Sequence, residues 1–406
     1  MNKLILFLLK YYLLFFVTII FFINPIFPYG YFIGGRSVLA LILAPWWLIS
    51  FYLLFQVNLM KKRNLFFLVG IIVSYFYYLL SFALEERSSD ILRLSYTIAF
   101  ISIPILLYKI NPTDNEIKRW SLFIDIAGLL LIIYAFSVSY GLIPFPFEYT
   151  ITIGEKRFTF DATVGSISFL SIWFTNRLFS STGKGMYILY SSVIILGLLR
   201  ILASSTRGIL VGTIVGVFIM ILLSMNKKNI KKFIAYTVSI LMISILFLSV
   251  FEKNDLIEKT FSTVTTYIAL IEGRGTETGN SRVVEALADF DTFAEYPLLG
   301  AGFQVAGMKV DSFGSSSSGH FFLTGTLARF GIFGLIGFMI IYILFFKSLN
   351  NRCPNSKCRR KLYAFYALII FYLIFGNPLY LFPQWPGVAF ILYVFINLDK
   401  GKKCLV

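Results

Sequence analysis

The chain has 406 residues, of which 58% are hydrophobic, 18% are aromatic and only 14% are charged. Soluble globular proteins carry about one quarter charged residues, so this composition excludes both a soluble enzyme and a disordered chain. The formal net charge of +16 would fit a nucleic-acid-binding protein, but the basic residues follow the predicted membrane topology instead. Nucleic acid is therefore excluded as the partner.

Apolar runs of about the length of a membrane span, roughly 20 residues, recur along the chain. They predict an all-α integral membrane protein with about twelve transmembrane helices. The first run contains Lys10 and is followed by no small-residue cleavage site, which indicates a retained span rather than a signal peptide. The runs lie near 4–24, 37–57, 64–84, 91–108, 120–140, 161–179, 187–203, 208–225, 233–251, 320–346, 362–376 and 387–398.

Basic residues concentrate in alternate connections between these runs, where Asp114, Glu116 and Asp399 are the only acidic residues. The positive-inside rule then places both termini in the cytoplasm. Spans one to nine occupy residues 1–251, a large extracytoplasmic loop occupies 252–319, and residues 320–406 hold spans ten to twelve and a cytoplasmic tail.

The three cysteines, Cys353, Cys358 and Cys404, all lie in predicted cytoplasmic segments. They indicate no disulfide framework. No further cysteine or histidine lies close enough in sequence to complete a zinc site.

The large loop contains one predicted helix. Residues 273–280 (GRGTETGN) are typical of a turn, and 281–296 form an amphipathic helix that ends at Pro297 in the run 297–302 (PLLGAG). The three-and-four spacing places two sets of side chains on different faces: Val283, Leu287, Phe290 and Ala294 on one, and Arg282, Glu285 and Asp289 on the other.

Charges inside a span are costly unless they face protein or water, so each is a candidate functional residue. The candidates are Lys10, Arg93, Asp125, Arg200, Arg207 and Arg329. Lys10 and Asp125 lie nearer the cytoplasmic side. Each either forms an ion pair or snorkels to the membrane surface, or else has a catalytic role.

Arginines gather on the predicted external side. Arg93 begins the fourth span, and Arg207 lies at the break between spans seven and eight. Arg329 lies in span ten. Arg157 follows the fifth span, and Arg282 lies on the predicted helix of the large loop. Guanidinium groups suit phosphate because they present a fixed fork of donors, so the set indicates an anionic ligand. For Arg282 the alternative is an ordinary salt bridge to Glu285.

His320, the only histidine, lies where the large loop enters span ten. A neutral imidazole there can accept a proton from a hydroxyl, although a histidine at a helix start is also a common cap. Asp289 and Asp291 have the Asp-x-Asp form of metal-dependent sugar transferases, but residues two apart on a helix point to nearly opposite faces, which argues against a metal site.

Several short motifs occur in a fixed order: 205–208 (STRG) opening a span, 280–282 (NSR) at the loop helix, 297–302 (PLLGAG), 319–320 (GH) and 331–334 (GIFG). Together with the topology, this order resembles the O-antigen polymerase and O-antigen ligase superfamily of polytopic bacterial membrane proteins. The resemblance covers about residues 200–340.

The resemblance implies a glycosyltransferase of the bacterial cytoplasmic (inner) membrane that uses no metal or cofactor. Its donor and acceptor would be oligosaccharides on undecaprenyl pyrophosphate, and a chain-length regulator protein would be a further partner. It implies that Arg207, Arg282 and His320 are catalytic, with Arg157, Arg93 and Arg329 assisting at the pyrophosphate and sugar. Direct displacement would invert the anomeric carbon.

Two alternatives stay open. A ligase would transfer the glycan to a lipid A core instead of a second lipid-linked unit. A transporter of lipid-linked sugars would move its substrate without joining it; such proteins tend to show two related halves, which this sequence lacks.

Overall fold

The computed structural model describes residues 3–23, 32–33, 36–56, 65–83, 89–139, 142–143, 161–181, 183–203, 207–224, 277–301, 322–375 and 384–398, together with the single positions 231, 234, 238 and 242. Everything stated below about the structure concerns these residues.

Helices form where the apolar runs predict them. They are α1 (Lys3–Val17, continued by a π-helix over Thr18–Ile23), α2 (Val38–Gln56), α3 (Leu65–Ala83), α4 (Ser89–Ile110), α5 (Asp114–Ser139), α6 (Asp161–Ser180), α7 (Lys184–Ala203), α8 (Arg207–Ser224), α9 (Glu277–Glu295), α10 (Phe322–Arg352), α11 (Ser356–Phe375) and α12 (Trp385–Leu398). A two-residue antiparallel hairpin, β1 (Phe32–Ile33) with β2 (Arg36–Ser37), is the other regular element described.

The protein is helical and membrane-embedded. Four helical segments are long and apolar enough to cross a membrane: Leu4–Ile23, Asp114–Ser139, Gly185–Leu202 and Phe322–Arg352. Shorter apolar helices lie between them, and most of the predicted ninth span, 233–251, falls outside the described residues. The all-α membrane class is thus confirmed, whereas the count of twelve spans, the orientation and the limits of the large loop stay predictions.

The chain forms two compact units, of which the first comprises residues 1–121, 277–354 and 373–406. Its centre is α4, which packs against α2, α3 and α12 and is buried almost completely from 95 to 107. Small residues allow the close packing: a Cβ on Gly70 of α3 would overlap the Ile101 side chain. The same unit contains α9, which packs against α10, and α10 in turn packs against α3.

The second unit comprises residues 122–276 and 355–372 and is built around α6, which packs against α7 and α8. Every described side chain of α6 from 163 to 176 is buried, and several of its hydroxyls bond within the helix. Ser168 Oγ donates to the Val164 carbonyl at 2.6 Å and Ser171 Oγ to that of Ile167 at 2.8 Å. Small hydroxyl residues of this kind allow helices to approach closely in a membrane.

Two local predictions are corrected. Residues 277–280, predicted as part of a turn, are the first residues of α9; Glu277 there places a negative charge at the positive end of the helix dipole. Span ten, predicted as continuous, is broken at Gly331, where φ is 63° and ψ is −167°.

Candidate functional site

The candidate site residues are described to different extents. Arg157 and His320 lie outside the described residues, and for Arg93, Arg207 and Arg282 the structure describes the backbone alone. Arg93 lies in α4, Arg282 in α9 and Arg329 in α10, all within the first unit, whereas Arg207 is the first residue of α8 in the second. The structure therefore brings the helix of Arg282 directly against the helix of Arg329.

A break divides α10 at Gly331. The dihedral angles there, φ 63° and ψ −167°, fall in a region that only glycine adopts without strain. The helix stops at Phe330 and resumes at Ile332, so backbone groups on both sides lose their partners within the helix. In a membrane such groups must bond elsewhere in the protein.

The turn that follows α9 supplies those partners. The Ile332 N–H donates to the Pro297 carbonyl at 2.9 Å and the Phe333 N–H to the Leu298 carbonyl at 3.4 Å, while the Ala301 N–H donates to the Ala328 carbonyl at 2.8 Å. We call residues 297–301 the docked turn.

Two glycines make this docking possible. A Cβ on Gly331 would overlap the Leu298 carbonyl, and a Cβ on Gly300, where φ is +77°, would overlap the backbone of Arg329 and Phe330. The docked turn therefore contacts the break backbone to backbone. The contact leaves no room for a side chain at Gly300 or Gly331.

Tyr77 of α3 supplies a further hydrogen bond at the break. Its hydroxyl donates to the Phe330 carbonyl at 2.8 Å, and its ring lies 4.6 Å, centroid to centroid, from the Phe330 ring. A Cβ on Gly334 would meet the Tyr77 hydroxyl, so a third glycine leaves room for this side chain.

Arg329 lies two residues before the break and is 1% exposed. Its Nε and Nη1 have no hydrogen-bond partner within the part of the chain that the structure describes. It is the only charged residue between Phe322 and Lys347. A buried guanidinium with unsatisfied donors in a membrane helix costs several kcal/mol, roughly, unless an anion or another partner meets it.

The interface between α9 and α10 contains a second polar contact. Asp289 is 2% exposed, and its Oδ2 accepts a hydrogen bond from Thr324 Oγ1 at 2.9 Å. Asp291 is exposed, so the two carboxylates of the Asp-x-Asp sequence lie in different surroundings. Arg282 lies two turns before Asp289 and hence on the same face of α9.

The division of α9 into two faces is confirmed where it is described, but the polar face is the packed one. Asp289 and Thr292 are buried, whereas Leu287 is 58% and Phe290 46% exposed.

Other charges within spans have structural partners. Lys10 Nζ lies 2.6 Å from Glu116 Oε1. Arg200 Nη2 donates to Thr163 Oγ1 at 3.2 Å. The ion pair with Glu116 explains how Lys10 is tolerated in an apolar helix.

Asp125 lies in the most complete of these polar clusters. Its Oδ1 accepts from Trp173 Nε1 at 2.8 Å, and its Oδ2 accepts from Arg177 at 2.5 Å and from the Tyr190 hydroxyl at 3.4 Å. A carboxylate satisfied on both oxygens has a structural role, so pairing rather than chemistry accounts for Asp125.

Neither Tyr77 nor the contact between the docked turn and Gly331 is predicted from the sequence. A signal was present, since the runs 297–302 and 331–334 both combine glycine with apolar residues. A scan against protein-family models finds no match for the chain, and a search of curated proteins finds none either.

Proposed function

We propose that the protein is a membrane glycosyltransferase that joins oligosaccharide repeat units carried on undecaprenyl pyrophosphate, a polymerase of O-antigen or capsular polysaccharide type. The observation that carries this proposal is Arg329, a buried guanidinium with two unpartnered nitrogens among the described residues, next to a break in a membrane-length helix. An anion satisfies such donors, and a lipid-linked diphosphate is an anion that approaches a membrane helix from the bilayer.

The chemistry uses that charge directly. The acceptor hydroxyl attacks the anomeric carbon, the bond from that carbon to the phosphate oxygen breaks, and undecaprenyl pyrophosphate leaves with the bonding electrons. Negative charge therefore grows on the phosphate oxygens in the transition state. Positioned donors in a water-poor site stabilise this charge strongly, and a single arginine bond to phosphate is worth about 1.5–3 kcal/mol.

The remaining residues take roles consistent with the resemblance. The resemblance assigns Arg207 and Arg282 to the diphosphate, and Arg93 and Arg157 to assisting roles. His320 accepts the proton of the attacking hydroxyl. Because α9 runs parallel to α10, with Asp289 beside Thr324, Arg282 lies about 18 Å before the level of Arg329 along the helix axis, and its assignment to the diphosphate rests on the resemblance alone.

The acceptor distinguishes the polymerase from the alternatives. Purified protein in liposomes is given one defined lipid-linked repeat unit and nothing else, and the products are separated by size. A ladder of longer glycans supports a polymerase. Growth only after addition of lipid A core indicates a ligase, and transfer across the membrane without joining indicates a transporter.

A pair of variants connects the activity to the site. Arg329→Met is expected to insert normally and form no ladder. Arg360→Met, which removes an exposed arginine of α11, is the matched control and should polymerise at the wild-type rate. A wild-type ladder from Arg329→Met, or strong inhibition by EDTA, would contradict the proposed mechanism.

A further inference from the structure

The segment from Asp289 to the docked turn runs alongside the first part of α10 in the same direction. Asp289 contacts Thr324, and about two turns further on Pro297 and Leu298 contact Ile332 and Phe333. The end of α9 and the docked turn therefore reach the depth of the break.

The depth of the break follows from helix geometry. Lys347 is exposed and marks one end of the apolar part of α10. The residues from Ile332 to Lys347 rise about 24 Å at about 1.5 Å per residue, and the hydrocarbon core of a bilayer is about 30 Å thick. Gly331 and the docked turn therefore lie within the hydrocarbon core, near the face opposite Lys347.

The outward side chains of the docked turn are apolar. Leu298 is 58% exposed, and its neighbour Leu299 is also exposed. Since the Phe333 N–H bonds to the Leu298 carbonyl, the exposed Leu298 adjoins Phe333, which is 57% exposed on α10. The apolar surface of the docked turn is thus continuous with the outer surface of a membrane-length helix.

Several backbone groups of the docked turn are suited to this environment. Pro297 has no N–H, the Gly300 N–H donates to the Tyr296 carbonyl at 3.0 Å, and the carbonyls of Pro297 and Leu298 accept from α10. Non-helical backbone at membrane depth is tolerated only where protein satisfies it in this way.

We propose that the docked turn, residues 297–301, is a membrane-inserted element whose tip, Leu298 and Leu299, lies among the acyl chains of the leaflet opposite Lys347, while the exposed carboxylates Asp291 and Glu295 stay outside the hydrocarbon core. The binding partner of this surface is bilayer lipid. The large extracytoplasmic loop predicted at 252–319 then contains a membrane-inserted element. The inference does not depend on the proposed glycosyltransferase activity, so failure of one leaves the other standing.

The test measures depth with nitroxide spin labels in the full-length protein, after Cys353→Ser, Cys358→Ala and Cys404→Ser. Labels are placed at Leu298→Cys and Leu299→Cys in liposomes of phosphatidylethanolamine and phosphatidylglycerol. Collisions with oxygen, which concentrates in acyl chains, are compared with collisions with a water-soluble nickel complex.

Exposed positions at other depths serve as references: Ile336→Cys on α10 for the acyl chains and Lys357→Cys on α11 for water. At Leu298 and Leu299 oxygen collisions should exceed nickel collisions, as at Ile336. Nickel excess, as at Lys357, would overturn the proposal by placing the tip in water. Shielding from both reagents would overturn it by showing protein contact instead.

Discussion

Substitution of Gly331 by alanine tests the contact between the docked turn and α10. The added Cβ would overlap the Leu298 carbonyl, which is backbone and cannot rotate away. Holding alanine at φ 63° and ψ −167° costs about 1–3 kcal/mol. If residue 331 instead becomes helical, the backbone strain disappears, but the docked turn is displaced from α10.

The expected loss of stability follows from these terms. Displacing the turn breaks two hydrogen bonds to Ile332 and Phe333, about 1 kcal/mol each. The variant therefore loses either about 1–3 kcal/mol to backbone strain or about 2 kcal/mol to the broken hydrogen bonds. At about 2 °C per kcal/mol, the thermal midpoint in detergent should fall by roughly 2–6 °C.

Gly185→Ala is the matched control, because no atom lies within 4 Å of the added Cβ. It should leave the thermal midpoint unchanged or raise it slightly, since alanine favours a helix by about 0.5–1 kcal/mol over glycine. A spin label at Leu298→Cys should become more mobile when Gly331→Ala is added. An unchanged midpoint and an unchanged label would refute the role of the docked turn.

Three further predictions concern single side chains. Asp125→Ala leaves Arg177 without its carboxylate and should lower stability by about 3–5 kcal/mol, measured as the thermal midpoint; an unchanged midpoint would remove its structural role. Tyr77→Phe removes the donor to the Phe330 carbonyl and should cost about 1–3 kcal/mol in the same measurement; an unchanged midpoint would show that this hydrogen bond does not stabilise the break. Arg329→Met should keep or raise the midpoint, because it removes unsatisfied buried donors, while polymer formation is lost; a large fall would instead show a structural arginine.

The helices could be predicted from the sequence because each apolar run must place its side chains in the protein interior or in lipid. The need for partners was also predictable: Lys10 and Asp125 were expected to pair or snorkel, and both pair. The partner of Asp125 could not be predicted, because Arg177 lies 52 residues away in sequence, at the end of α6.

The contact at Gly331 could not be predicted. Local sequence gives two glycine-containing runs, but only the folded chain shows that the backbone of one bonds to the break in the other. The face of α9 that packs against the protein could not be predicted either. Helical spacing places Leu287 and Phe290 on one face, but it does not determine whether that face contacts protein or lipid. In a membrane an apolar face turned outward is as stable as one turned inward.

Binding of a lipid diphosphate tests the central claim that the Arg329 guanidinium meets an anion. Undecaprenyl pyrophosphate and undecaprenyl monophosphate are titrated into wild type and Arg329→Met in the same detergent. Loss of about 1.5–3 kcal/mol of arginine–phosphate bonding predicts roughly 10- to 100-fold weaker binding of the pyrophosphate to the variant. Equal affinity of wild type and variant for the pyrophosphate would contradict the account.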